Sequence, residues 1–319
     1  MNIELAEIVP MLCTDRPNKK PPLTIEQLQA FETALECSLP EDVKQLYLEH
    51  DGHEPQKNHS MFLMPSDDVL KVHNDIKRRE SWWWIFPNLT DHIRYLWHDE
   101  DGNFAGLYVT GPLVGKIVFN DHEVPSPAPV FRSVIGFYRA NLEMLKATIW
   151  DWENMPTDYP AIGEISTEDS ASDLAIVLTC LNNWKNARDL DEKKGWASCI
   201  IALTPPEETT QLLTYIDANG FDRSKILDVI AKRRCEPAIK QLTTWLLNDL
   251  TFTQRDIFYA LGSIAGEGAA DLIQNLIPEI TRVAKGSAMM TLLKLGYKIR
   301  KTDNHDEYLP PKETTWRKL

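Results

Sequence analysis

Residues 92–121, HIRYLWHDEDGNFAGLYVTGPLVGKIVFND, decide the fold class of the first half of this 319-residue chain. The first predicted strand alternates two sets of side chains, Ile93, Tyr95 and Trp97 on one face against Arg94, Leu96 and His98 on the other. The turn DEDGN ends this strand, and FAGLYVT returns from it. A second turn, GPLVG, leads into KIVFND. Consecutive strands joined by short turns predict an antiparallel meander.

Helices are predicted before and after the meander. In residues 23–52, a capping box starts at Thr24, Pro40 suits the first turn of a second helix, and Gly52 offers its C-terminal stop. A further helix is expected from about Ser133, because apolar residues recur there at helical spacing. Since the helices and strands are grouped rather than alternating, we predict an α+β domain, an antiparallel sheet with flanking helices.

The second half of the chain has helical spacing throughout. Pro206, Pro237 and Gly268 stand 31 residues apart, which is the period of a two-helix repeat. We therefore predict an all-α, HEAT-like solenoid. Its expected helices cover about residues 168–184, 192–203, 206–219, 222–235, 236–249, 252–265, 268–283 and 286–297.

The expected domain organisation follows from these patterns and from a proline-containing stretch with little periodicity between the two halves. It comprises an N-terminal extension (1–22), the α+β domain (23–150), a linker (151–167), the helical-repeat domain (168–300) and a charged tail that frays (301–319).

The charge balance restricts the class of partner. The chain has 34 Lys and Arg against 47 Asp and Glu, a formal net charge of −13. Residues 1–160 hold 14 basic and 25 acidic side chains, and the rest of the chain holds 20 and 22. This acidity argues against nucleic acid or an anionic membrane as the main partner and favours a basic protein.

The cysteines and the N-terminus predict a cellular compartment. Five cysteines without a CxxC pair indicate neither a disulfide framework nor a thiolate zinc site, so we expect reduced thiols. The N-terminus has no basic region before its short apolar stretch, and no run of eighteen apolar residues occurs. We expect a cytoplasmic protein.

Motifs for metal binding and catalysis are absent from the sequence. His50, His53, His98 and His122 lie beside acids, but no HExxH or comparable ligand spacing is present, so solvated loop histidines are the simpler interpretation. There is also no GxSxG and no phosphate-binding loop. We expect no metal, no cofactor and no enzymatic activity.

Three consecutive tryptophans, Trp82, Trp83 and Trp84, are the most unusual local feature. In a strand the first and third share one face and the second points away, so a single core cannot bury all three. Two interpretations stay open. Either helices cover both faces of the sheet, or an exposed tryptophan anchors a partner.

A set of carboxylates and histidines falls at hairpin ends and one strand terminus. Turns favour Asp, so solvated turns are one interpretation, and a surface complementary to a basic partner is the other. Together with the tryptophans they form the predicted partner-binding set, Trp82, Trp83, Trp84, Asp91, His98, Asp99, Glu100, Asp101, Asp121, His122 and Glu123.

The order of motifs in residues 23–146 resembles the SUKH superfamily, which joins a fungal regulator of cell-wall assembly to bacterial immunity proteins that neutralise toxins. LTIEQLQAFETALECSLPEDVKQLYLEHDG is similar to the family's opening helix pair, with matches at Leu39, Pro40 and Gly52, and with Asp51 where Asn is more usual. FPNLTDHIRYLWHDEDGNFAGLYV is similar to the central hairpin, VGKIVFNDHE to a later strand, and SVIGFYRANLEML to the closing helix. The resemblance implies an antiparallel sheet with packed helices, in a binding protein rather than an enzyme.

In the second half, RDIFYALGSIAGEGAADLIQNLI resembles a short HEAT repeat, because small residues let adjacent helices approach closely. The residues that carry this resemblance are Ala260, Leu261, Gly262, Ala269, Ala270 and Leu272.

Both resemblances imply a protein-binding function. The first hypothesis is a cytoplasmic immunity protein that occludes a toxin, for example a nuclease, whose phosphate-binding surface is basic. The alternative is a scaffold or regulatory adaptor that binds several protein partners through the sheet and the helical repeats.

Overall fold

The computed structural model describes residues 6–9, 19–53, 61–78, 87–99, 102–122, 125–146, 159, 166–248, 254–276, 282–302, 306–309 and 317–318. Contacts between these residues divide the chain into two compact units, Met1–Leu203 and Thr204–Leu319. Each unit has its own buried apolar side chains.

The first unit opens with the predicted helix pair, α1 (Ile25–Ala34) and α2 (Glu41–Glu49). The capping box is confirmed, because the Gln27 amide donates to the Thr24 hydroxyl at 3.2 Å and the Thr24 amide donates to the Gln27 side chain at 2.8 Å. Pro40 is the residue before α2 rather than its first helical residue.

The sheet of the first unit has five strands in the order β1-β2-β3-β4-β5, all antiparallel, which confirms the predicted meander. Its strands are β1 (Phe62–Leu63), β2 (Ile93–His98), β3 (Phe104–Tyr108), β4 (Ile117–Asn120) and β5 (Pro129–Phe131). Three helices accompany it, α3 (Ser66–Arg78), α4 (Pro87–Thr90) and α5 (Val134–Lys146), and α5 is the closing helix expected near residue 133. The fold class of this part is therefore α+β, as the sequence predicted.

A bulge in β2 overturns the predicted alternation of that strand. Tyr95 pairs with Gly106 and Trp97 with Ala105, so two steps along β2 correspond to one step along β3. Because paired residues share a face, Tyr95 and Trp97 lie on opposite faces of the sheet. The expectation that Ile93, Tyr95 and Trp97 share a face is wrong for Trp97, since a bulge adds a residue without a clear sequence signal.

The bulge defines two faces, named here by the residues on either side of it. The Tyr95 face carries Phe62, Ile93, Tyr95, His98, Phe104, Gly106, Tyr108, Val118 and Asn120. The Trp97 face carries Leu63, Arg94, Trp97, Ala105, Leu107, Ile117, Phe119 and Phe131.

Helix α5 packs on the Trp97 face. The Trp97 ring lies 4.9 Å from that of Phe137, and its indole N–H donates to the Tyr138 hydroxyl at 3.0 Å. Phe131 meets Phe137 edge-on at 5.3 Å. These rings form an aromatic core in which the polar end of the indole is satisfied.

Two further helices, α6 (Thr167–Asn186) and α7 (Leu190–Leu203), also belong to the first unit. The buried Cys199 thiol lies 3.6 Å from the Pro127 carbonyl, which also accepts from the Tyr108 hydroxyl at 2.5 Å. Since Tyr108 lies on the Tyr95 face, the helix pair covers part of that face. The contacts therefore divide the chain after residue 203, whereas the sequence placed the start of a separate helical domain at residue 168.

The second unit is mostly helical. It contains a 3₁₀ segment (Pro206–Tyr215) and the helices α8 (Arg223–Lys232), α9 (Ile239–Asn248), α10 (Gln254–Ala265), α11 (Ala269–Leu276) and α12 (Arg282–Lys294). Each lies within a predicted helical stretch or shares most of its residues with one. The HEAT-like solenoid itself stays a prediction.

Gly262 shows why a small residue is needed in α10. A Cβ at this position would lie 2.7 Å from Leu295 Cδ1 and 3.0 Å from Thr291 Cγ2, which is tighter than ordinary van der Waals contact. Helices α10 and α12 therefore approach closely at Gly262, as the small residues of this stretch predicted.

The end of the chain differs from the fraying tail that its charge and prolines predicted. Strands β6 (Lys298–Lys301), β7 (Asp306–Leu309) and β8 (Arg317–Lys318) form an antiparallel sheet in the order β6-β7-β8. Tyr308 of β7 is fully buried, and its hydroxyl donates to Gln274 of α11 at 2.9 Å. One buried aromatic side chain thus attaches a charged hairpin to the helices.

Candidate protein-binding surface

The structure describes five of the eleven predicted partner-binding residues, namely Asp91, His98, Asp99, Asp121 and His122. The others, Trp82, Trp83, Trp84, Glu100, Asp101 and Glu123, lie outside the described residues. Their predicted role stays a prediction.

The five described residues lie at two ends of the sheet rather than in one cluster. Asp91 precedes β2, whereas His98 and Asp99 end that strand. Six residues of extended strand span about 20 Å, so Asp91 is far from the rest. Asp121 and His122 follow β4, whose last residue Asn120 pairs with Phe104, the partner of His98. The end of the sheet that carries His98, Asp99, Asn103, Phe104, Asp121 and His122 is called the hairpin end below.

Asp99 is buried and serves the turn between β2 and β3. Its side chain is part of a residue only 2% exposed. One carboxylate oxygen accepts from the Asn103 backbone amide at 2.8 Å, and the other accepts from the Asn103 side chain at 2.7 Å. The expectation that Asp99 presents a negative charge to a partner is therefore wrong, because its carboxylate is directed into the turn.

Asn103 extends this hydrogen-bond chain to the next strand. Its side-chain oxygen accepts from the His122 backbone amide at 3.0 Å and lies 2.9 Å from His122 Nδ1. The segment after β4 is thus held against the β2–β3 turn. Beside it, the Asp121 and His122 side chains remain 48% and 46% exposed. These two keep the surface position that the sequence predicted.

His98 belongs to a row of aromatic rings on the Tyr95 face. Its ring lies 4.2 Å from that of Phe62, edge-on, and is stacked on Phe104 at 5.8 Å. Burial lowers the pKa of His98 to about 4, although the Asp68 carboxylate acts in the opposite direction. His98 is therefore a neutral ring at neutral pH and adds no charge to the surface.

Asp91 stands beside a buried arginine at the other end of the sheet. Arg94 donates to the backbone carbonyls of Leu35, Asp91 and Ile93, each at 2.9 Å. Asp91 thus contributes its carbonyl to the junction between α1 and β2, while its side chain is exposed. Three charge-assisted hydrogen bonds to backbone carbonyls satisfy a guanidinium that is removed from water.

A second charged cluster escaped the sequence interpretation. The buried Lys116 ammonium donates to Asp173 at 3.0 Å and to the Tyr159 hydroxyl at 2.7 Å. Arg132 reaches the other Asp173 oxygen at 2.6 Å and also Asp169 at 2.8 Å. The cluster joins β4 and β5 to α6 across 57 residues of sequence between Lys116 and Asp173, and no local motif marks such a pairing.

The buried cluster fixes α6 to the sheet. Burial lowers the pKa of Lys116 despite the adjacent Asp173 carboxylate. An ion pair taken out of water depends on both partners, because removing either leaves an uncompensated charge. The helix pair is therefore a permanent cover over the Tyr108 end of the Tyr95 face.

The Tyr95 face is consequently covered to different degrees along its length. Ile93 and Tyr108, at the covered end, are 2% and 1% exposed. His98 and Phe104, at the hairpin end, are only half-buried. Within the described residues, the accessible part of this face is the hairpin end.

The acidity of the chain belongs to the first unit. Residues 1–203 contain 18 Lys and Arg against 32 Asp and Glu, and residues 204–319 contain 16 against 15. The first unit therefore has a formal charge of −14 and the second +1. Any electrostatic attraction of a basic partner acts through the first unit.

Other functional classes find little support in the described residues. No group of three or more His, Cys, Asp or Glu side chains there is arranged to hold a metal ion. Burial raises the pKa of the Cys180 thiol to about 12 and that of Cys199 still further, so neither is a reactive thiolate. None of the described helices has both the length and the apolar character needed to cross a membrane.

Comparison with known proteins gives one match. No curated protein matches the chain. The match that was found is consistent with a non-catalytic, immunity-like or regulatory protein-binding role, and it covers the opening helices, the sheet and the start of α5. Residues 22–139 match the model of the SMI1 / KNR4 family (SUKH-1), which confirms the SUKH resemblance of the first part of the chain.

Proposed function

We propose that this chain is a cytoplasmic, non-catalytic immunity protein that binds a basic toxin domain, for example a nuclease, and neutralises it by occlusion. The observation that carries the proposal is the combination of a SUKH-1 match with a first unit of charge −14. The unit offers a negative potential to a partner, and no catalytic or metal arrangement competes with a binding role among the described residues.

The proposed mechanism separates encounter from retention. The negative potential of the first unit attracts a positively charged partner over distances of about 10 Å at moderate salt. Shape and hydrogen bonding then retain the partner, because affinity depends mainly on dissociation. A toxin held in this way keeps its chemistry intact but cannot reach its substrate.

A second candidate is a scaffold or regulatory adaptor. The near-neutral second unit favours it, since its 16 basic and 15 acidic side chains suit partners other than a basic toxin. Immunity predicts one dominant basic partner at nanomolar affinity or better, whereas a scaffold predicts several partners at micromolar affinity.

Coexpression tests the immunity proposal. The chain is expressed together with the protein encoded beside its own gene, in cells whose growth that neighbour inhibits. We expect growth to be restored, because a bound toxin has no access to its substrate. The matched control is coexpression with an unrelated toxin, which the chain leaves active.

The contrary result is equally definite. If growth is not restored and the purified chain binds no neighbour-encoded protein, the immunity proposal is wrong. Several weak partners in a pull-down from the native organism would instead support the adaptor.

A further inference from the structure

The aromatic rings at the hairpin end form a continuous row on the Tyr95 face. His98 stacks on Phe104 with an interplanar angle of 26°, and Phe62 closes the row edge-on at 4.2 Å from His98. Tyr95 meets the other side of Phe104 at 6.2 Å. The Tyr95 hydroxyl is engaged by the Asn120 side chain, so the ring positions are fixed from two sides.

This row is the part of the Tyr95 face that the helix pair leaves accessible. His98 and Phe104 are half-buried, whereas Phe62 at the end of the row is 5% exposed. The accessible surface is therefore the stacked pair of His98 and Phe104. It presents aromatic faces without a formal charge, because His98 is neutral at neutral pH.

Carboxylates accompany the stacked pair. The Asp68 carboxylate acts electrostatically on His98, although it also pairs with the exposed Lys71 at 2.7 Å. Asp121 directly follows Asn120, the strand partner of Phe104, and its side chain is 48% exposed. Aromatic faces and carboxylates each attract cations, the first through the ring quadrupole and the second through charge.

We propose that the hairpin end of the Tyr95 face receives a Lys or Arg side chain of the partner protein, with the cation over the Phe104 and His98 rings and the Asp121 carboxylate beside it. The proposal rests on the proposed function and specifies the chemistry of its contact. The charge of the first unit, −14, selects this occupant over an apolar side chain, since an apolar anchor gains nothing from the surrounding carboxylates.

The first test uses the full chain and a small probe, so it does not depend on finding the partner. Arginine amide is titrated while NMR follows the ring protons of His98 and Phe104. We expect saturable shifts at both rings in the millimolar range, and weaker shifts in Phe104→Leu. Norleucine amide, an uncharged probe of similar length, is the matched control and should leave the rings unshifted.

The second test uses the protein partner found in the coexpression experiment. Phe104→Leu should weaken binding about 5- to 20-fold, mainly through faster dissociation, while Phe104→Tyr keeps the ring and stays within about twofold. Asp121→Asn should weaken it about three- to tenfold. Glu168→Gln also removes one negative charge, from an exposed position in the first turn of α6, and should change binding less than about twofold.

The outcomes separate this proposal from the proposed function. If the chain binds its partner but Phe104→Leu and Asp121→Asn leave the affinity unchanged, the contact proposed here is wrong and the binding function stands. If no partner is found, the NMR titration decides, and the absence of saturable shifts at His98 and Phe104 overturns the proposal. A norleucine response equal to that of arginine would show an apolar contact and also overturn it.

Discussion

At the scale of single residues, two aspartates of the same predicted surface have different roles. Asp99 is buried and bonded to Asn103 across the turn, while Asp121 keeps an exposed carboxylate. Turn propensity predicts Asp at both positions, but it does not distinguish a carboxylate that closes a turn from one that faces solvent. That difference depends on which side chain lies opposite, which the sequence shows only once the strand register is known.

The buried histidines make stability depend on pH. His73, 6% exposed, has a ring nitrogen with no hydrogen-bond partner among the described residues. Burial and the nearby Arg94 lower its pKa to about 4, and burial lowers that of His98 to about 4 as well. In the unfolded chain both imidazoles titrate near their ordinary value of about 6.5.

The sign follows from proton binding. Between about pH 6.5 and pH 4 the unfolded chain binds protons that the folded chain rejects, so stability falls as the pH falls through this range. We expect the free energy of unfolding to drop by about 2–4 kcal/mol between pH 7 and pH 4.5, measured by urea denaturation at each pH. The variant His73→Leu should lose roughly half of this dependence, and an unchanged slope would contradict the account.

At the scale of secondary structure, local patterns predicted the strands and helices but not how α6 is attached. The meander followed from turns such as DEDGN, and α1 followed from its capping box. The bulge in β2 and the Lys116–Asp173 pair were not predictable. A bulge changes the register by one residue, and a long-range ion pair has no periodicity. The helix pair α6–α7 was accordingly assigned to the helical half of the chain, although its contacts belong to the first unit.

The buried cluster predicts a strong effect of a single uncharged replacement. Asp173→Asn leaves Lys116 and Arg132 without the carboxylate that both contact, so we expect a loss of about 3–5 kcal/mol in the free energy of unfolding of the first unit. Chemical denaturation followed by circular dichroism measures this loss. Glu168→Gln, the same amide replacement at an exposed position of α6, is the matched control and should stay within about 1 kcal/mol of the parent, since it loses only a favourable charge near the helix N-terminus.

A double variant separates charge from packing in the same cluster. Lys116→Met combined with Asp173→Leu removes both buried charges, and it should recover much of the stability lost in Asp173→Asn. A small effect of Asp173→Asn alone would show that α6 is held to the sheet by apolar contacts, and the role given to the ion pair would be wrong.

At the scale of the whole molecule, charge and compact units coincide. The sequence placed the acidity in residues 1–160, and the structure extends the acidic unit to residue 203. Composition alone therefore predicted the sign of the partner. It did not predict the surface, because that depends on which face α6–α7 cover and on which carboxylates the turns consume. The remaining exposed region of the Tyr95 face is the hairpin end, where His98, Phe104 and Asp121 lie.

The central claim is that the first unit holds a basic protein partner through charge and contact. The most direct test measures the association and dissociation rates of the purified chain with the protein that copurifies with it, at about 20 mM and about 150 mM salt. The account predicts one dominant basic partner whose association slows several-fold as salt rises, while dissociation changes less. A dominant partner that is acidic, or an association rate independent of salt, would contradict it.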